Sequence, residues 1–440
     1  MSTRTRLFVL LGLVSLSVLS IQRSWKTAKP PLQIGETNVL LIINCTLRRD
    51  RLSAFDHEVP TSPSWENWRK RSVTLNHHIS QAPWTRPSLG SILTGIYPAK
   101  LGLDSAEAAG SLELVLDEQF TTIAEWFKDN GYSTIGAVGN PNAKEKFGLA
   151  QGFDEYFEPN RTFKEGLRMR STQELGSELL AQSTKRSSQQ PVFALLITVD
   201  THQRVQYEDQ DWSVVADHYP ERMDKQQRLQ STYDASVHQL DRQLANFVSQ
   251  FRKHRPNTLV IQTADHGEGL LTPKHHGRGH GRFLYPSTIH IPHLWEHPQL
   301  EPKDIDTLTR NIDIFPTLIE LLGASTSLRL DGRSFAPSLW NGIHSGNELA
   351  YVQSQYGDVD RFAVYRQHNF WILDVISGKQ TIYDWRDPQA LNNIIDQNSE
   401  LAGQNHRLFT QFRDHLSAPQ IRQELDEDDQ KLLESIGYVE

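Results

Sequence analysis

Four short apolar runs constrain this chain more than any other feature: NVLLII at 38–43, STIGAVG at 133–139, VFALLITV at 192–199 and TLVIQT at 258–263. The first is unbroken by polar residues, and the other three resemble it closely enough to predict strands covered on both faces. Helical patterns lie between them. TTIAEWFKDNG, at 121–131, reads as a helix closed by Gly131 and feeding the second run. Ahead of the fourth run, Tyr233, Val237, Leu240, Leu244, Phe247 and Phe251 recur at spacings of four and three, a single apolar stripe. Strands alternating with helices predict an α/β fold, a mainly parallel central sheet with helices on both faces. Beyond about residue 345 the pattern loosens into short strand-like pieces and a final helix, which predicts a smaller C-terminal α+β subdomain.

The expected organisation is a signal peptide or membrane anchor at 1–26, a linker at 27–36, a main domain at 37–340 and the subdomain at 341–440. Arg4 and Arg6 precede an apolar stretch at 7–21, followed by Arg23 and Lys26. That pattern predicts export to the periplasm or beyond, with membrane attachment through 7–21 if the segment is retained. TAKPPLQIGE, with its two prolines, reads as the linker. Forty-five basic against 53 acidic residues leave a net charge of −8 without a long basic run, so a nucleic-acid partner is not expected. One cysteine allows no intramolecular disulfide.

In parallel α/β sheets ligands bind at the carboxyl ends of strands, so the chemistry is expected just after residues 43, 199 and 263. The strongest signal is TADHGEGLLTPKHHGRGHGRFLY at 263–285, where Asp265 and His266 leave an apolar strand together and His275, His276, His280 and Arg282 follow. A carboxylate beside an imidazole is a divalent-metal half-site; the bland alternative is a solvated His-rich loop. In SQAPWTRPSLGSILTGIYP at 80–98, Thr85 and Ser88 flank Arg86 and Pro87 at a helix start. Helix-terminal N–H groups with Arg86 suit an anion that the Thr85 hydroxyl attacks, and an ordinary N-cap by Thr85 or Ser88 explains the same residues equally well. Asp200 and His202 follow the third run. Two N-x-T triplets, at Asn44 and Asn160, match the glycosylation acceptor pattern.

Taken in order, these pieces resemble a known family. NVLLII…TLRRDRL, APWTRPSLGSILTGIYP, GFDEYFE, VDTHQ, TADHGEGL…GHGRFLY, IDIFPTLIELLG, LDGRSFAPSLW, YDWRDP and the terminal IGYVE are similar to the sulfatase branch of the alkaline phosphatase superfamily, over roughly 36–440. The resemblance implies an exported α/β hydrolase of sulfate esters with a divalent-metal site, Ca2+ first, Zn2+ or Mn2+ as alternatives. It places Thr85 on the nucleophile, Asp265 and His266 on metal ligands, and His202 and His280 on groups that contact the ester oxyanion or protonate the leaving group. Arg86 stands with the nucleophile. The implied substrate is a sulfated or phosphorylated small molecule or glycan.

Two departures stand out. Typical sulfatases oxidise a cysteine or serine in C/S-x-P-x-R to formylglycine, whereas this chain reads Thr85-Arg86-Pro87-Ser88-Leu89. Threonine cannot give formylglycine, so a phosphoester or phosphonate hydrolase, or a phosphotransferase, with Thr85 as nucleophile is a competing reading. Relatives read DTLR where this chain reads CTLR, so Cys45 stands on the first metal-ligand aspartate, and the resemblance leaves Cys45 and Thr46 as the candidate metal donors at this strand end. A neutral thiol is a poor donor to calcium. Asn44 could replace it through a shifted register, a soft metal such as zinc could take the Cys45 thiolate, or the protein could bind without turnover.

Overall fold

The computed structural model of the protein describes residues 32–104, 114–159, 170–202, 207–272, 279–343, 345–414, 421–423 and 425–435. All four apolar runs are strands: β1 (Asn38–Asn44), β4 (Ser133–Val138), β6 (Val192–Thr198) and β7 (Thr258–Ala264), counted in chain order with β2 (Val73–Ile79), the short β3 (Leu114–Val115) and β5 (Glu155–Phe157). With β8 (Leu294–Glu296) and β9 (Lys303–Arg310) they form an eight-stranded sheet in the order β5-β4-β6-β1-β7-β8-β2-β9. Only β8 runs antiparallel to its neighbours.

Burial on both faces explains why β1 has no polar alternation. Val39, Leu41 and Ile43 enter one apolar cluster and Leu40 and Ile42 the other, the period-two split of a pleated strand. Helices α1 (Pro63–Arg69), α4 (Thr172–Lys185) and α6 (Lys225–His254) cover the second cluster, and α5 (Asp209–Ala216) packs on α6 through Val215 and Ala235. Helices α2 (Thr85–Thr94), α3 (Ile123–Asp129) and α7 (Ile314–Leu321) cover the first. The starts of α3, α4 and α6 are fixed by capping boxes, Thr122/Glu125, Ser171/Glu174 and Asp224/Gln227. Gly131, at φ 83°, ends the turn after α3 as expected.

The register positions the site. Asn44 lies level with Thr198 on β6 and Ala264 on β7, so the chain leaves three adjacent strands at one edge of the sheet. At the opposite edge the expected linker at 27–36 is docked from Leu32 onward. Leu32 is buried in the core, and Ile34 N donates to Leu322 O.

The C-terminal subdomain is an antiparallel sheet, β10 (Ala350–Ser354), β11 (Arg361–Tyr365), β12 (Asn369–Asp374) and β13 (Gln380–Asp384). One face packs on Ile79, Leu284, Ile289 and Leu308 of the main domain; helix α8 (Ser399–Asp414) covers the other through Phe409 and Phe412. The buried Asp104 carboxylate accepts from Gln353 Nε2 and Gln355 N, joining the two parts. The tail then returns to the main domain. Strand β14 (Ile421–Arg422) pairs with β3, and helix α9 (Glu427–Ser435) packs on the 3-10 turn Pro141–Ala143.

Candidate active site

Cys45, the residue after β1, is fully buried. Burial, then the neighbouring Asp265 carboxylate, pushes its thiol well above the usual range. The β1 register is unbroken, and Asn44 faces away, donating to Thr263 O and accepting from Thr198 Oγ1. A slipped Asn44 therefore does not replace the missing aspartate, and burial at 0% exposure also closes its glycosylation triplet to a glycan. Thr46 takes the left-handed conformation, φ 60°. Its hydroxyl donates to Cys45 O at 2.7 Å and its N–H to Asp265 Oδ1 at 3.0 Å. Thr46 thus serves the site through its backbone, and its hydroxyl, expected among the metal donors, is engaged elsewhere.

Asp265 and His266 leave β7 beside it. Asp265 Oδ1 accepts from Thr46 N and His266 N, while Oδ2 is buried without a hydrogen-bond partner among the described residues. His266 Nδ1 lies 2.8 Å from Gly267 O, which makes Nδ1 the donor and leaves Nε2 a lone pair. That nitrogen is 3.2 Å from Thr85 Oγ1.

Thr85 opens α2. The N-cap is Trp84, in extended backbone and without a side-chain cap bond, so Thr85 and Ser88 are not capping residues. Ser88 Oγ instead donates to Asp265 O, tying the helix to the end of β7. Thr85 Oγ1 accepts from Asn140 Nδ2 at 3.2 Å and lies 3.6 Å from Cys45 Sγ. Arg86 departs from the expected anion-holding role. Its guanidinium donates to Leu114 O and Asn142 Oδ1 and stacks 3.6 Å over Phe147, anchoring the helix start instead.

His202 and His280 form the outer wall, with ring centroids 5.1 Å apart and His280 4.3 Å from His266. Burial pushes His202 down to about 3 and His280 down to about 4, so both are neutral imidazoles at pH 7. Asp200 turns aside to Thr172, accepting from its hydroxyl and backbone at the start of α4. Arg282 pairs with Asp358 of the subdomain. His275 and His276 lie outside the described residues, as do Asn160 and the stretch at 7–21.

Two site residues escaped sequence reasoning. Asn140 follows β4, a strand end passed over in favour of 43, 199 and 263, and donates to Cys45 Sγ at 3.0 Å as well as to Thr85. Glu268, three residues after Asp265, is buried and pushed up to about 7 by that burial; its Oε2 is 3.3 Å from His280 Nδ1. Arg48 braces this loop, donating to Glu268 O at 2.9 Å.

One ligand atom each from Cys45, Asp265 and His266 lies within 4.8 Å of the others. With Asp265 Oδ2 unmatched, this set fits a divalent cation, though with sulfur where a calcium site has oxygen.

A family model, Sulfatase, matches residues 37–324. The chain belongs to the sulfatase family. This sulfatase-family chain is 22% identical over 444 residues to an endo-4-O-sulfatase of Bacteroides thetaiotaomicron, covering 82% of this chain and 86% of that one. It spans about half the length of two further bacterial relatives. In fold it is similar to a protein solved in complex with its substrate D-glucosamine-2-N,6-O-disulfate (TM-score 0.72, 14% identity, covering 86% of this chain and 99% of that one). It is similar also to the phosphonate monoester hydrolase of Agrobacterium radiobacter (TM-score 0.68, 18% identity, 88% and 100%). The sulfatase-family assignment agrees with the mainly parallel sheet and its antiparallel C-terminal subdomain. Among the described residues no helix is long and apolar enough to cross a membrane.

Proposed function

We propose that the chain hydrolyses sulfate esters of a sugar substrate outside the cytoplasm, with Thr85 Oγ1 as nucleophile. The observation that carries this is the contact of Thr85 Oγ1 with His266 Nε2 at 3.2 Å, inside a buried cluster at the carboxyl edge of the sheet. The contact fixes Oγ1 against the cluster, and a lone pair of that oxygen makes the in-line attack on sulfur. The new O–S bond forms as the bond to the alcohol oxygen breaks, the Thr85 proton passes to water, the alcohol takes up a proton, and a second water then releases sulfate from Thr85 and returns a proton to its oxygen. Asp265 and His266 would hold a divalent cation, with the Nε2 lone pair then given to the ion in place of the Thr85 hydroxyl, and the ion would supply the positive charge that neutralises the ester oxyanion. Neutral His202 and His280 donate N–H to the ester oxygens, and the Glu268–His280 pair supplies the proton to the leaving oxygen. The sugar preference draws on the sulfated sugar named for one structural neighbour, and the location on the apolar stretch at 7–21.

A second reading, hydrolysis of phosphate or phosphonate monoesters, is favoured by threonine at the nucleophile position and by Leu89, buried in the core where the motif has arginine. Side-by-side turnover of aryl sulfate, phosphate and phosphonate separates the two. We expect sulfate turnover, reduced about 10³-fold or more in Thr85→Ala. Turnover of the phosphorus esters alone overturns the lead reading, and no turnover with any divalent ion overturns both.

A further inference from the structure

Deepening the reading that a cation occupies this cluster, we propose that Cys45 Sγ, His266 Nε2 and Asp265 Oδ2 form a site selective for a thiophilic divalent cation, Zn2+ foremost, over Ca2+. The donor set is the first argument. Calcium takes 6–8 oxygens, whereas thiolate, imidazole and carboxylate are the ligands zinc combines in tetrahedral sites. At zinc bond lengths of ~2.0–2.3 Å, such donors stand roughly 3.3–3.8 Å apart. Their present mutual distances, within 4.8 Å, are closed by small side-chain movements.

The surroundings are the second argument, because they prepare each donor for a metal. His266 Nδ1 is held by Gly267 O at 2.8 Å, which fixes the tautomer and puts the Nε2 lone pair on the cluster side, where it now meets the Thr85 hydroxyl and would turn to the ion. Asp265 Oδ1 is occupied by two backbone N–H groups at 3.0 and 2.7 Å, so the carboxylate is locked with the unmatched Oδ2 remaining. Asn140 Nδ2 donates to Cys45 Sγ at 3.0 Å, a bond that strengthens as the sulfur becomes thiolate. Thr85 Oγ1, 3.2 Å from His266 Nε2 and 3.6 Å from Cys45 Sγ, stands at the fourth position. Binding exchanges one proton for the ion: the Cys45 S–H bond breaks, the S–Zn bond forms and the proton leaves to solvent. With a sulfur donor beside Asp265 and His266, this sulfatase-family chain thus has a metal site suited to a softer ion than calcium.

The sequence supplies a clean reporter. Cys45 is the only cysteine of the chain, so a thiolate-to-cobalt charge-transfer band in the Co2+-loaded protein arises from that residue alone, whatever its 18 histidines bind. Chelator-treated full-length protein is titrated with Zn2+, Ca2+ and Co2+, with metal content by mass spectrometry, for wild type, Cys45→Ser and Cys45→Asp. The expected result is one tightly bound Zn2+ and a cobalt–thiolate band in wild type. Cys45→Ser, close in volume, is expected to lose the band and more than ~100-fold in Zn2+ affinity, since a ligand outweighs the ~10–100-fold of its outer supports. Cys45→Asp is expected to gain Ca2+ binding. Circular dichroism confirms that both variants fold. No cobalt–thiolate band, Zn2+ affinity unchanged in Cys45→Ser, or a wild-type preference for Ca2+ each overturns the proposal. None of these bears on the Thr85→Ala ester assays, so the two readings fail separately.

Discussion

Asn140 donates to both the thiol of Cys45 and the hydroxyl of Thr85, and so sets the spacing of two functional groups from a third strand end. Asn140→Leu keeps the volume and removes the donor. It also removes the Oδ1 that accepts from Asn142 N, so the expected outcome is a kcat lowered ~10- to 100-fold with unfolding free energy lowered by about 3 kcal/mol, three neutral-amide bonds at roughly 1 kcal/mol each. Equal kcat in the variant would show that the contact is incidental. Asp265 and His266 were legible in the sequence because a carboxylate and an imidazole leave a continuous apolar strand side by side. Asn140 was not, since an asparagine before a proline reads first as a turn. Arg86 misled for a related reason. Residue type announces that a guanidinium is present, whereas its direction depends on Leu114, Asn142 and Phe147, none of which is near in sequence.

Helix α9 shows the same limit for whole elements. Its Asp429 pairs with Lys144 at 2.6 Å, both side chains 2% exposed, and with Lys146. Removing the carboxylate strands a buried ammonium beside the turn that carries Asn140 and Asn142, so Asp429→Asn is expected to cost about 3 kcal/mol. The double variant Lys144→Met/Asp429→Leu should recover much of that, because the fully buried ammonium goes with the carboxylate and only the more exposed Lys146 is left without its partner. Urea midpoints and kcat measured together test this. An unchanged midpoint in Asp429→Asn would mean that the pair is solvated and the helix loosely held. The four central strands and α6 were readable because each buries its own periodic apolar pattern. The return of the tail was not readable, since it depends on the two ion pairs of Asp429, the burial of Leu432 and Leu433 and a two-residue strand contact.

At the scale of the molecule, the chain folds many histidines into its interior uncharged. His78 and His293 stack at 3.9 Å outside the site; burial pushes His78 down to about 3 and His293 well below its ordinary value, and His290 likewise. The unfolded chain protonates these residues near 6.5, so it binds more protons than the folded state below that pH. Their contribution is complete above 6.5 and is lost as pH falls. The expected loss is about 2 kcal/mol per histidine between pH 6.5 and 5, measured by urea unfolding. His78→Asn should flatten the slope by up to one proton, and unfolding midpoints independent of pH would contradict this account. The two ends of the described chain also differ in what they border. Leu32 enters at the edge of the sheet away from Cys45 and Thr85, whereas α9 rests against the turn beside them. Tension applied through α9 is therefore transmitted to the turn beside Asn140, whereas tension applied at Leu32 is met by the far edge of the sheet.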